Sequence, residues 1–179
     1  VWNGKNELGS GHDTGEGLTP FGKEVIRKME ERRMIVDVSH LNDRGFDEVC
    51  EVAVRPFVAT HSNLRSICSH PRNLKEEQFC EMVIRGGLVG INLHQPFLSD
   101  TGERKEEDVY RHIDRMLELG GENVIACGSD FDGADIHLSL NTPVKYAELA
   151  EKMLKRGIKE AVVDKIFFEN AERFFRENV

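Results

Sequence analysis

The sequence predicts an α/β fold with parallel strands, and three observations carry that prediction. Four short runs of β-branched and apolar residues alternate with stretches of helical periodicity. Each run is apolar almost without interruption, as strands are when helices cover both faces of their sheet. Polar residues capable of chemistry, His40, His61, Asn92 and Asp130, stand just past the C-terminal ends of those runs.

Residues 1–18 are rich in glycine and read as a long loop. Thr19 caps a helix with Pro20 at its first position, and the helix runs to about residue 33. Val25, Ile26 and Met29 give it an apolar stripe at spacings of three and four. Ile35-Val36-Asp37-Val38 is the first strand, ending at Ser39-His40, and a helix follows over about 43–54. Phe57-Val58-Ala59-Thr60 is the second strand, ending at His61, and a turn with Pro71 leads into a helix over about 75–85. Gly87-Leu88-Val89-Gly90-Ile91 is the third, ending at Asn92. A helix over 106–119 carries Val109, Ile113, Met116 and Leu117 on one face. Val124-Ile125-Ala126-Cys127 is the fourth strand, ending in Gly128-Ser129-Asp130. Helices over about 144–156 and 159–176 close the chain. Residues 1–179 are read as one unit, a loop over 1–18 followed by β/α units over 19–179. Four such units fit either a small doubly wound sheet or half of an eight-stranded barrel. The polar strand ends favour the barrel, where they would converge on one face, although doubly wound sheets also bind ligands there.

Composition narrows the function. The 179 residues are 39% hydrophobic and 31% charged, an ordinary globular balance. A net charge of −8 argues against nucleic acid or an anionic membrane surface as the main partner. No apolar run approaches the ~20 residues of a membrane helix. The four cysteines, Cys50, Cys68, Cys80 and Cys127, are scattered and read as free thiols, which predicts a reducing, cytoplasmic setting. The opening residues Val1-Trp2-Asn3-Gly4 read as the interior of a longer chain.

His40 and His61 are 21 residues apart, one β-α-β step, so neighbouring strands would present both imidazoles at one level. Imidazole nitrogen is a strong ligand for zinc and related metals, but two ligands do not complete a site. Asp130 ends a buried strand, where a carboxylate needs a positive partner, and beside a metal it suits proton transfer. Asp132-Gly133 reads as a turn. Arg72, on the loop after His61, offers a fork for a carboxylate. His12, His112 and His137 read as surface residues, and His94 as a residue at the mouth of a site. No phosphate-binding glycine loop and no G-x-S-x-G nucleophile elbow is present.

Leu18-Thr19-Pro20-Phe21-Gly22, Asp37-Val38-Ser39-His40, Thr60-His61-Ser62-Asn63, Pro71-Arg72-Asn73, Gly86-Gly87 and Gly128-Ser129-Asp130-Phe131-Asp132-Gly133 occur in that order along nearly the whole chain. In this they resemble the membrane (renal) dipeptidase family of zinc metallopeptidases. The resemblance implies a metal-hydrolase β/α barrel, with this chain supplying about its C-terminal four units. It implies two zinc ions bridged by a carboxylate and a hydroxide that attacks a dipeptide substrate. His40 and His61 match the two histidine ligands of the second zinc, Arg72 the arginine that engages substrate, and Asp130 the acidic residue that handles protons. Asn92 and Phe97 fall on the segment lining the substrate pocket. The family's tolerance of D-residues suits bacterial wall turnover, hence a bacterial source. Nothing in residues 1–18 supplies the His-x-Asp of the first metal site or the bridging glutamate, since His12-Asp13 lacks the spacing. Arg33 stands where the family usually has a helix-ending glycine. The rival reading is a non-catalytic half-barrel whose open sheet edge pairs with a partner or forms a homodimer.

Overall fold

A computed structural model describes residues 3–101 and 105–179. Its sheet has three parallel strands in the order β1 (Val58–Ala59), β2 (Leu88–Asn92), β3 (Ile125–Ser129). Val58 lies opposite Leu88 and Val89 opposite Ile125, and an irregularity after Ile91 sets Asn92 opposite Ser129. All five residues of β2 are buried, as its unbroken apolar run predicts for a central strand.

The run Ile35–Val38 is not the full strand expected of it. Asp37 makes a single parallel bridge to Val58. Hydrogen bonds from the Val38 amide to the Val58 carbonyl (2.8 Å) and from the Val58 amide to the Val36 carbonyl (2.9 Å) lay the segment along the outer edge of β1. A helix-ending turn at Arg33 and another turn at Ser39-His40 leave room for one bridge only.

The helices follow their sequence signals. Helix α1 (Pro20–Glu31) is capped by Thr19, whose Oγ1 accepts from the Gly22 amide at 3.0 Å. It ends with Arg33 in the left-handed region (φ 56°), while the Met34 amide reaches back to the Met29 carbonyl (2.8 Å) and the Arg33 amide to that of Glu30 (3.0 Å). That is the bond pattern of a Schellman turn, in which glycine is the usual residue. Helix α2 (Asp43–Val52) is capped by Asn42, which also donates from Nδ2 to the Thr14 and Glu16 carbonyls and so ties down the N-terminal loop. Then come α3 (Glu76–Ile84), a short α4 (Gln95–Leu98) that the sequence pattern did not predict, α5 (Glu106–Glu118) and α6 (Pro143–Lys155). The closing helix is one path in three segments, α7 (Glu160–Asp164), a π turn over Lys165–Glu169, and α8 (Asn170–Asn178). The π turn delivers the buried Asn170 side chain beneath β3, where its Nδ2 donates to the Glu122 and Ile125 carbonyls at 2.9 and 2.8 Å.

One large apolar cluster joins the sheet to the helices through Phe57, Phe79, Val89, Ile91, Ile125 and the Val109, Ile113 and Met116 face of α5. Each such fully buried side chain contributes about 1.5–3 kcal/mol. A smaller cluster on the opposite side of the sheet holds Val58, Leu88, Ala126 and Phe174. The four cysteines are free, and of them only Cys68 is buried. Among the described residues, no helix is long and apolar enough to cross a membrane.

Candidate metal centre

The strand ends are brought together by backbone crowding. The Thr60 carbonyl passes so close over β2 and β3 that a Cβ at Gly90 would overlap it, and a Cβ at Gly128 would lie 2.5 Å from it. Glycine at both positions lets the chain after β1 fold across the sheet, where the Ser62 amide donates to the Gly90 carbonyl at 2.8 Å. His61 is thereby directed toward His40. Their Nε2 atoms lie 2.9 Å apart and their ring centroids 4.9 Å.

Both rings have an acceptor behind them. His61 Nδ1 is 2.8 Å from Thr60 Oγ1, and His40 Nδ1 is 3.1 Å from Asn3 Oδ1. Burial, with the nearby Arg72 charge, holds His40 down to about 3. Burial also lowers His61, with Arg72 adding to the effect and Asp130 and Asp37 opposing it. Each ring has Nδ1 against an oxygen and Nε2 against the other ring's Nε2, a separation at which the two nitrogens can share one proton or hold a common cation. Metal–nitrogen bonds of ~2.0–2.1 Å, at angles of about 90–110°, would set two nitrogens about 2.9–3.4 Å apart, so the pair fits a zinc-class ion. Among the described residues, no group of three or more His, Cys, Asp or Glu side chains could hold an ion.

A cavity of about 630 Å³ opens beside the pair, lined by His12, His70, Arg72, His94, Phe97 and Asp130 among others. Arg72 is 3% exposed, and neither its Nη1 nor its Nη2 finds an acceptor among the described residues. Burial lowers its pKa to about 10, against the pull of Asp130 and Asp37, so it remains a cation at neutral pH. Its guanidinium carbon lies 5.4 Å from the Phe97 ring centroid, and Phe97 itself is packed between His70 (4.4 Å) and His94 (4.6 Å). A buried, unpartnered guanidinium is a strong site for a carboxylate.

Asp130 follows β3 in an unusual conformation, since both Ser129 (φ 84°) and Asp130 (φ 70°) occupy the left-handed region. Asn92 Nδ2 donates to Asp130 Oδ2 at 3.2 Å, while Asn92 Oδ1 accepts from the His94 amide at 2.6 Å. The expected residues thus divide. His40, His61, Arg72, Phe97 and Asp130 line one cavity, whereas Asn92 is fully buried beneath it and supports Asp130. The turn read at Asp132-Gly133 is present, with the Gly133 amide donating to the Asp130 carbonyl at 3.2 Å.

Three histidines are placed otherwise than the sequence suggested. His12 was read as a surface residue but lines the cavity. Its amide donates to the His40 carbonyl at 2.9 Å and Gly11 bridges Leu41, which hooks the glycine-rich loop over the histidine pair. No local pattern announces such a long-range bridge. His112, also read as exposed, is wholly buried, accepting from the Leu64 amide at 3.2 Å and lying 3.0 Å from the Leu98 carbonyl. Its spacing from Val109 and Met116 placed it on the apolar face and was the available signal. His137 is half-buried against Ser139. His70, left without a role by the sequence reading, lines the cavity, and its place two residues before Arg72 was a clue.

Known proteins match this architecture. A metallo peptidase from Rhodobacter sphaeroides, solved with a phosphinate mimic of the dipeptide L-Ala-D-Ala, superposes with a TM-score of 0.94 at 32% identity. That match covers 100% of this chain and 54% of the other. The structure of dipeptidase AC, a metallo peptidase, matches with a TM-score of 0.93 at 33% identity over 99% of this chain and 56% of that one. An uncharacterized protein encoded in the pqqA 5' region of Klebsiella pneumoniae is 35% identical over 181 residues, 94% of this chain and 67% of its own length. The chain thus spans little more than half the length of the two solved structures. The signature of the membrane dipeptidase family, peptidase family M19, matches residues 2–179, and the chain belongs to that family.

Proposed function

We propose that the protein carrying this chain is a zinc-dependent dipeptidase, and that these residues form the C-terminal four units of its β/α barrel. The observation that carries the reading is that two Nε2 atoms 2.9 Å apart share one cavity with the buried Arg72, whose Nη1 and Nη2 find no acceptor among the described residues. A small substrate with a free carboxylate needs that combination. The parallel sheet, with its polar residues gathered at the strand C-termini, supports the barrel.

His40 and His61 would hold one zinc ion through Nε2, with the remaining ligands and those of a second ion supplied from outside these 179 residues. Zinc, when bound, supplies Lewis acidity and an activated water. Arg72 pairs with the carboxylate of the dipeptide and fixes the scissile bond beside the histidines. Asp130 accepts a proton from the attacking water as the new C–O bond forms. It returns that proton to the nitrogen as the C–N bond breaks, which releases an amine and a carboxylate. Phe97 gives the cavity an apolar wall against the substrate side chain.

The test is a substrate panel on the full-length, zinc-loaded protein. It should hydrolyse L,L- and L,D-dipeptides such as L-Ala-D-Ala and leave lactones untouched. Turnover of lactones alone, or of neither class, overturns the proposal.

A further inference from the structure

Asp37 enters no step above, yet its carboxylate collects four hydrogen bonds behind the histidine pair. Oδ1 accepts from the Ser39 amide (3.0 Å), the Ser39 hydroxyl (2.6 Å) and the Thr60 amide (3.2 Å). Oδ2 accepts from the Thr60 hydroxyl at 2.5 Å. A threonine hydroxyl has one proton, and here it points to Asp37. The contact of 2.8 Å between Thr60 Oγ1 and His61 Nδ1 must then use a proton on the ring. His61 is consequently the Nδ1–H tautomer, with its Nε2 lone pair directed at His40 Nε2. Ser39 adds a second tie, because its Oγ accepts from the His61 amide at 3.2 Å.

We propose that Asp37, acting through the Thr60 hydroxyl, is a positioning residue that fixes the tautomer and orientation of His61, so that its Nε2 is presented to a zinc-class divalent cation shared with His40. The proposal rests on the metal-hydrolase reading for its cation and on this hydrogen-bond chain for its tautomer. It is a relay of carboxylate, hydroxyl, imidazole and metal, in which the hydroxyl extends the more familiar direct contact between carboxylate and histidine. The edge position of Ile35–Val38 has its use here. Its one bridge, Asp37 to Val58, carries the carboxylate alongside β1, within reach of Thr60.

The experiment compares the full-length protein that carries this chain with T60V, which keeps the shape and removes the hydroxyl, and T60S, which restores it. Long-range ¹H–¹⁵N correlation spectra of the metal-free proteins read the tautomer of His61, assigned by its loss in H61Q. Competition with a chromophoric chelator reads zinc affinity. The wild type and T60S should show His61 protonated at Nδ1. T60V should lose that state and bind zinc about 10–100-fold more weakly, the usual effect of removing an outer partner. Rescue by T60S separates this role from a merely structural one. An Nε2–H tautomer in the wild type, or unchanged tautomer and zinc affinity in T60V, overturns the proposal. A wild type that is Nδ1–H but binds no zinc leaves the lock standing and removes the metal reading instead.

Discussion

His61, after β1, and Asp130, after β3, face the same cavity, but the backbone beneath each is secured in a different way. On the β1 flank, Asp37, Ser39 and Thr60 are tied together by hydrogen bonds of 2.6, 3.2 and 2.5 Å around the bridge to Val58. On the β3 flank, Ser129 and Asp130 both adopt left-handed backbone, which costs about 1–2 kcal/mol per non-glycine residue. The Asp130 carboxylate is held chiefly by Asn92. The first arrangement suits a ligand that must stay at one distance from an ion. The second places a carboxylate where ordinary extended backbone would not take it, and strain of this kind gathers at functional sites.

Five changes test that contrast, ordered from the largest expected effect. Asp130→Asn in the full-length protein should lower turnover by about 10²–10⁴-fold, the range for a general acid–base, while zinc content is unchanged. Parallel loss of metal would mean that Asp130 belongs with the ligands. His61→Ala should weaken zinc binding by more than roughly 100-fold, beyond the effect of losing an outer partner. Calorimetric titration of the full-length protein checks this. Acid sets the range in which either flank can be studied. Burial holds His112 down to about 4, below the 6.5 of a free imidazole. Between those values the unfolded chain binds a proton that the folded chain refuses. Stability is therefore full above pH 6.5 and falls by about 3 kcal/mol as pH drops toward 4. Urea unfolding across that window should show the decline, and His112→Gln should make it shallower by about that amount, the rest being carried by the other depressed histidines, His40 and His61 among them. Gly133→Ala would set a Cβ 2.7 Å from Asp130 Oδ1 and should cost about 10-fold in kcat with little change in zinc affinity. Arg33→Gly relieves a left-handed residue far from the cavity and should raise stability by about 1 kcal/mol, seen as a higher Tm with unchanged metal binding.

Local pattern made three of the four expected strands and most helices legible, because β2, β3 and α5 write their burial directly into apolar runs and periodic stripes. The histidine pair was legible for a related reason, since one β-α-β step sets neighbouring strand ends level. Arg33 was legible as a departure from the family, and its φ of 56° gives the physical reason why glycine is the usual residue there. The edge segment at Asp37, the support role of Asn92 and the arrival of His12 were not legible. Each depends on contacts between segments distant in sequence, such as the 38 residues separating Asn92 from Asp130. The π turn escaped because one extra residue in a helical turn leaves the apolar periodicity almost unchanged.

The crossing of Thr60 over Gly90 and Gly128 also bears on how such a sequence can drift. A methyl group at either glycine meets the same carbonyl, and relief would need a shift of the segment that aims His61. Three positions scattered over 69 residues of sequence therefore behave as a single inherited character. A lineage that keeps the histidine pair should keep both glycines with it, and one that has lost a glycine should be found to have lost the pair.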